Sequence, residues 1–127
     1  MTVEETVEHL TKAWTTTDRD ERRRLLGLAC RPDAEFLSPH GHNRGTEEYA
    51  RGIDIFRSSF PKSRTVHGPP THHHRSLAYR WRTEWNDGRP PLDGIDVGEL
   101  AEDGRIRRLV SFDEPKALGP PPGGERT

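Results

Sequence analysis

Cysteine is nearly absent. Cys30 is the only one, so the chain can close no internal disulfide and can build no multi-thiolate zinc site. No apolar run approaches the ~20 residues that a membrane-spanning helix needs. The opening TVEETVEHL has none of the apolar character of a secretory leader. The expectation is a cytoplasmic protein with no membrane contact. A charge excess is missing too: 20 basic and 21 acidic residues leave a net charge of −1. No field would gather nucleic acid, and no nucleic-acid partner is expected. The arginine-rich stretch RDERRRLL is interrupted by Asp20 and Glu21, the pattern of a solvated helix face rather than a phosphate site. Apolar residues make only 29% of the 127. Low apolar content argues for disorder chiefly when net charge is also high. Three Trp and two Tyr add bulk, so the composition reads as one folded domain with a thin core and a charged surface.

What is present is periodicity. Thr2 followed by Glu5 is a capping box, and Val3, Val7, Leu10 and Trp14 share one helical face. Asp18 followed by Glu21 opens a second helix, with Leu25, Leu26 and Leu28 as its buried side, and Arg31-Pro32-Asp33 stops it. Ala34 to Leu37 is predicted to be a short strand, and Pro39 to Gly45 a loop. Thr46 is predicted to cap a third helix with an inner face of Tyr49, Ile53, Phe56 and Phe60. The rest reads as strands. Thr65 to His74 is broken by Gly68-Pro69-Pro70. Leu77 to Trp85 alternates with a period of two. Gly94 to Leu100 and Arg105 to Phe112 are joined by a Glu102-Asp103-Gly104 turn. Helices followed by an antiparallel meander is an α+β order. The domain is expected over residues 1–114. The Pro/Gly-rich tail, 115–127, is predicted to be disordered.

Trp85-Asn86-Asp87-Gly88, the strand Leu92-Asp93-Gly94-Ile95-Asp96-Val97 and the hairpin Gly104-Arg105-Ile106 resemble the C-terminal half of bacterial ketosteroid isomerases. Asp33-Ala34 through Pro39 to Gly45 also follows that family, and the resemblance spans about residues 3 to 113 at the level of pattern. It implies the nuclear-transport-factor-2-like cone of the SnoaL-like superfamily: helices packed in a strongly curved antiparallel sheet, as in cystatin. It also implies no cofactor. In those isomerases a strand aspartate held neutral in an apolar pocket donates a hydrogen bond to the developing oxyanion, and the matching residue is Asp96. The second donor, a tyrosine, is replaced by Trp14. The general base, an aspartate, is replaced by Ser38. One group of three is therefore present. His40 or His42, just past Ser38, could supply a base instead.

The expected site has Asp96 and His40 as its chemistry. Trp14, Phe36, Ser38, Tyr49, Ile53, Phe56, Tyr79, Trp81, Thr83, Trp85, Gly98 and Leu109 would line the pocket. Against this, Asp96 can equally be a structural aspartate, and any one aromatic can be plain core. Asp113 is a weaker acid candidate. Of the histidines at 40, 42, 67 and 72–74, His72 and His74 share a strand face and with His40 or His42 could bind zinc, but no acidic residue sits at ligand spacing beside them, so no metal is expected. The sequence supports a pocket protein for a small apolar or aromatic ligand. Its chemistry would be isomerisation, cyclisation, dehydration or hydrolysis by acid–base catalysis, and the isomerase mechanism does not transfer unchanged. The alternative is a non-catalytic ligand-binding or dimerisation module. Ile95 and Val97, alternating with Asp96, would leave an apolar stripe on the outer sheet face and favour a homodimer there.

Overall fold

A computed structural model describes residues 1–113. The expected tail at 115–127 and the domain limit at 114 lie outside the described residues.

Helix α1 (Val3–Thr15) begins as its sequence dictates. Thr2 Oγ1 accepts from the Glu5 N–H at 3.1 Å, and Glu5 Oε1 accepts from the Thr2 N–H at 2.7 Å. Helix α2 (Arg19–Ala29) is capped by Asp18, whose carboxylate accepts from the N–H groups of Asp20 and Glu21. Its buried side differs from the expected one. Leu25 and Leu26 are buried, but Leu28 is exposed, and Arg22 and Ala29 complete the face. At about 100° per residue Leu25, Leu26 and Leu28 span about 160° of the helix, too wide an arc for all three to face inward.

Strand β1 (Cys30–Ser38) starts directly after α2, before the expected Ala34. Pro32 is tolerated because its register shifts between Cys30 and Glu35. The expected loop contains a further strand, β2 (Gly41–Arg44), paired antiparallel with β1. Its GHNR sequence has no apolar alternation to betray it. Helix α3 (Thr46–Ser59) is not capped by Thr46: the N-cap is Gly45 and makes no side-chain cap bond. Gly45 has φ +87°, and a Cβ there would stand 3.0 Å from the Pro32 carbonyl oxygen, so the entry into α3 requires glycine. Strands β3 (Arg64–His67), β4 (Thr71–His73), β5 (Ser76–Glu84), β6 (Leu92–Leu100) and β7 (Ile106–Asp113) follow.

The seven strands form one curved open sheet in the order β2-β1-β7-β6-β5-β3, with β4 also on β5. One pairing departs from the expected antiparallel sheet: β1 runs parallel to β7. Between β1 and β7 the chain passes through β2, α3 and β3 to β6, so no local turn signal announces that pair. The architecture is α+β, with the helices on one sheet face over a core that includes Leu10, Leu26, Ile53, Leu77, Ile106 and Leu109.

The thin core is supplemented by an ionic tie. Arg22 is 1% exposed. Its Nε donates to the Ala13 carbonyl at 2.9 Å, Nη2 to the Thr16 carbonyl, and Nη1 to Asp54 of α3. Arg23 reaches the other Asp54 oxygen at 3.0 Å. The C-terminal carbonyls of α1, the guanidinium of α2 and the carboxylate of α3 are thereby bound together. Although burial opposes it, this pairing holds the Asp54 carboxyl below the usual range. Among the described residues no helix is long and apolar enough to cross a membrane.

Candidate functional site

A cavity of about 420 Å³ opens between α1, α3 and the inner sheet face. Its walls follow from strand register. Tyr79, Asp96 and Ser111 stand opposite one another across β5, β6 and β7. Two residues along, His67, Trp81, Gly94 and Asp113 form the next row across β3, β5, β6 and β7. Alternation sends both rows to the same face.

Asp96 is in the floor. It is 5% exposed, its Oδ2 accepts from the Tyr79 hydroxyl at 2.6 Å, and its Oδ1 has no partner. Burial pushes its carboxyl above the usual range. Ser111, Tyr79 and Trp81 pull the other way, although neither Ser111 nor Trp81 bonds to Oδ1. The aromatic walls come from the helices and β5. Trp14 meets Tyr49 and Phe56 edge-on, with centroids 6.0 and 5.5 Å away, and Phe36 stacks on Tyr49 at 3.8 Å. Trp81, Trp85, Ile53, Thr83 and Leu109 also line the space, as does Ser38. Arg89 closes over the outer faces of Trp85 and Phe60, 4.3 and 4.9 Å from their centroids.

Two expected lining residues are elsewhere. Tyr79 points inward but lies beneath the floor, where its hydroxyl is spent on Asp96. Gly98 is closed off, because a Cβ there would meet the Arg108 carbonyl oxygen at 2.5 Å and Leu109 Cδ1 at 2.9 Å. Trp14 is at the wall but is not a free donor: its Nε1–H is given to the Tyr49 hydroxyl at 3.2 Å.

Ser38 is a turn residue in its chemistry. Its Oγ accepts from the His40 N–H at 3.1 Å, which fixes the β1–β2 turn and sets His40 at the rim. There His40 Nε2 meets Asp113 Oδ2 at 2.8 Å. A carboxylate only accepts, so in the neutral ring this contact puts the proton on Nε2 and the lone pair on Nδ1. His42 turns away to Glu35, 2.9 Å from Nε2, and is not at the cavity. His72 lies 3.7 Å from Glu4, and His73 and His74 contact each other. Among the described residues no three His, Cys, Asp or Glu side chains converge to hold a metal ion.

Sequence reading passed over Ser111, Leu92, Thr65 and Asn43, all of which line the cavity. Period-two alternation from Leu109 would have found Ser111 and Asp113. It also gave His67 no pocket role. His67 is held by Thr11, whose Oγ1 accepts from the His67 backbone N–H at 3.2 Å and lies 2.7 Å from Nδ1. Desolvation lowers its imidazole to about 4, so it is neutral at physiological pH. Cys30 is fully buried, and desolvation pushes its thiol up to about 12, which leaves it inert.

No family model and no curated protein matches this chain. Solved structures do. A SnoaL-like polyketide cyclase candidate from Jannaschia sp. CCS1 superimposes with a TM-score of 0.66 at 15% identity, covering 95% of this chain and 97% of that one. A nuclear-transport-factor-2-like protein from Cytophaga hutchinsonii gives 0.67 at 17%, covering 93% and 95%. At these identities the likeness is one of fold. A third carries more: a candidate isomerase of the SnoaL-like family from Agrobacterium tumefaciens str. C58. Its TM-score is 0.79 at 31% identity, over 90% of this chain and 99% of that one. With the cone of helices and sheet, and with near-complete coverage at that identity, the chain belongs to the SnoaL-like family.

Proposed function

We propose that this protein binds a small, mostly apolar carbonyl compound and moves a proton next to that carbonyl without a cofactor. The observation that carries the reading is Asp96: a buried acid with one unpartnered oxygen at the floor of an aromatic cavity. A carboxyl kept neutral there donates a hydrogen bond to a carbonyl oxygen as that oxygen gains charge. His40 at the rim is the base, with Asp113 holding its ring. The C–H bond beside the carbonyl breaks and its proton goes to His40 Nδ1. The electron pair moves onto the oxygen facing Asp96, and return of the proton to another carbon completes an isomerisation. His40 and Asp113 line the same cavity as Asp96, which favours this reading over a binding module. Ser38 supplies no base, so we expect negligible steroid isomerase activity.

The test uses 2-tetralone, a bicyclic ketone of suitable size, in deuterated buffer. Exchange of its α-protons, followed by NMR, is expected to run about 100-fold faster with the native chain than in buffer. His40→Ala and Asp96→Ala should each remove most of that gain. Binding of 2-tetralone with no faster exchange would sink the enzyme reading and leave the binding module. On the outer sheet face Val97 and Phe112 are 39% and 48% exposed, and Ile95 pairs with Phe112 across β6 and β7. This supports a homodimer through that face.

A further inference from the structure

His67 is a cavity-wall histidine that the proposed proton transfer leaves unused. It reaches the cavity from β3, and Thr11 of α1 fixes its ring. The Thr11 hydroxyl also decides the tautomer. Its oxygen accepts from the His67 backbone N–H at 3.2 Å and stands 2.7 Å from Nδ1. With the proton on Nδ1, that one oxygen would take two donors and the hydroxyl hydrogen would have no acceptor. With the hydroxyl donating to Nδ1, every hydrogen is placed, so Nε2 carries the ring proton. Nε2 has no partner among the described residues, and unlike Trp81 Nε1 it is not sealed from contact.

A second observation points to the same wall. Thr65 is two residues before His67 on the same face of β3. Its Oγ1 shares one hydrogen bond of 2.7 Å with Thr83 Oγ1 of β5. Two hydroxyls bring two hydrogens, so one is left without an acceptor among the described residues. Both threonines line the cavity. At the far end of the row that runs from His67 through Trp81 and Gly94 stands Asp113, the partner of His40. Three strand spacings, about 14 Å between Cα atoms, separate the two ends. Asp96 and Asp113 line the space, and among the described residues no Lys or Arg does. An anionic group there would meet carboxyls and no counter-charge.

We propose that His67 Nε2–H, with the spare Thr65–Thr83 hydroxyl hydrogen on the same wall, seats a second, uncharged oxygen of the ligand at the β3 end of the cavity. The substrate class is then a ketone on an apolar frame that carries a hydroxyl, ether or second carbonyl oxygen at its far end. Simple ketones leave these donors unpaired, and keto acids are disfavoured by charge. The substrate class rests on the proposed function, which accounts for the ketone; the seat itself does not.

Calorimetric titration of the full chain with 6-methoxy-2-tetralone and 6-ethyl-2-tetralone tests it. The two share ring, ketone and bulk, and only the first has the far oxygen. His67→Phe is expected to weaken the methoxy compound about ten-fold and to leave the ethyl compound unchanged. Equal weakening of both would mean that the ring acts by shape, and no weakening of either would mean that it donates nothing; both results overturn the seat. Exchange of α-protons by the native chain would still judge the proposed function separately. A native chain that binds neither compound overturns both readings. Should His67→Phe fail to fold, nitrogen NMR of the native chain decides. The His67 ring, recognised by its titration at about 4, should shift at Nε2 with the methoxy compound and not with the ethyl one. An equal response, or none, overturns the proposal.

Discussion

Asp96 holds its carboxyl almost wholly buried at the cavity floor, and that has a thermodynamic sign. Its folded pKa lies above the unfolded one because burial penalises the charge. Between those two values the folded chain holds the extra proton, so stability falls as pH rises through the window, and the loss is complete above it. Asp96→Asn removes the charge and keeps the shape. The variant should melt about 5 °C higher than the native chain at pH 8, with the gap closing toward pH 3; equal melting temperatures at pH 8 would show that Asp96 is not strained. His67 contributes with the opposite sense: its lowered pKa costs stability as pH falls from about 6.5 to about 4. At this scale the sequence was partly legible. Spacing to Gly104 picked out Asp96, but nothing local separated Trp14, whose N–H is spent, from Trp81, whose N–H is free.

Helices were the most legible elements. The 4, 3, 4 spacing of Val3, Val7, Leu10 and Trp14 and the Thr2–Glu5 box act within one turn or two, so they need no tertiary context. Arg22 is the counterexample. In the sequence it belongs to a solvated basic run, yet it is buried, with Asp54 as its ion partner. Helix phase alone could suggest an inward position, but only the arrival of α3 supplies the carboxylate. Removing that carboxylate strands a buried guanidinium. Asp54→Ala should lower unfolding free energy in urea by about 3–5 kcal/mol, whereas Glu47→Ala, which removes only the exposed, solvent-screened partner of Arg23, should cost far less. Similar losses for the two variants would refute the buried tie.

For the whole molecule, the proposed homodimer turns on the outer sheet face. Among the described residues Val97 and Phe112 are two of the few large apolar side chains left exposed, on a chain that is 32% charged. Sedimentation velocity at about 20 μM should show a dimer, and Phe112→Glu should shift it to monomer without unfolding. A native chain that sediments as a monomer at that concentration would remove the sheet-face contact.

The sequence by itself determined the helices, the strands with alternating side chains, the α+β class and the position of one pocket acid. All of these depend on periodicity or on spacing along a single segment. It could not determine the polar strand β2, the parallel β1–β7 pair, the His40–Asp113 contact or the closing of Gly98. Each of those joins residues whose separation along the chain says nothing about their separation in space. Register across the sheet brings Trp81 over Gly94 and beside Asp96. The pocket's chemistry was therefore decided by the tertiary structure, because a hydrogen bond depends on which atoms meet after folding and which are left without a partner.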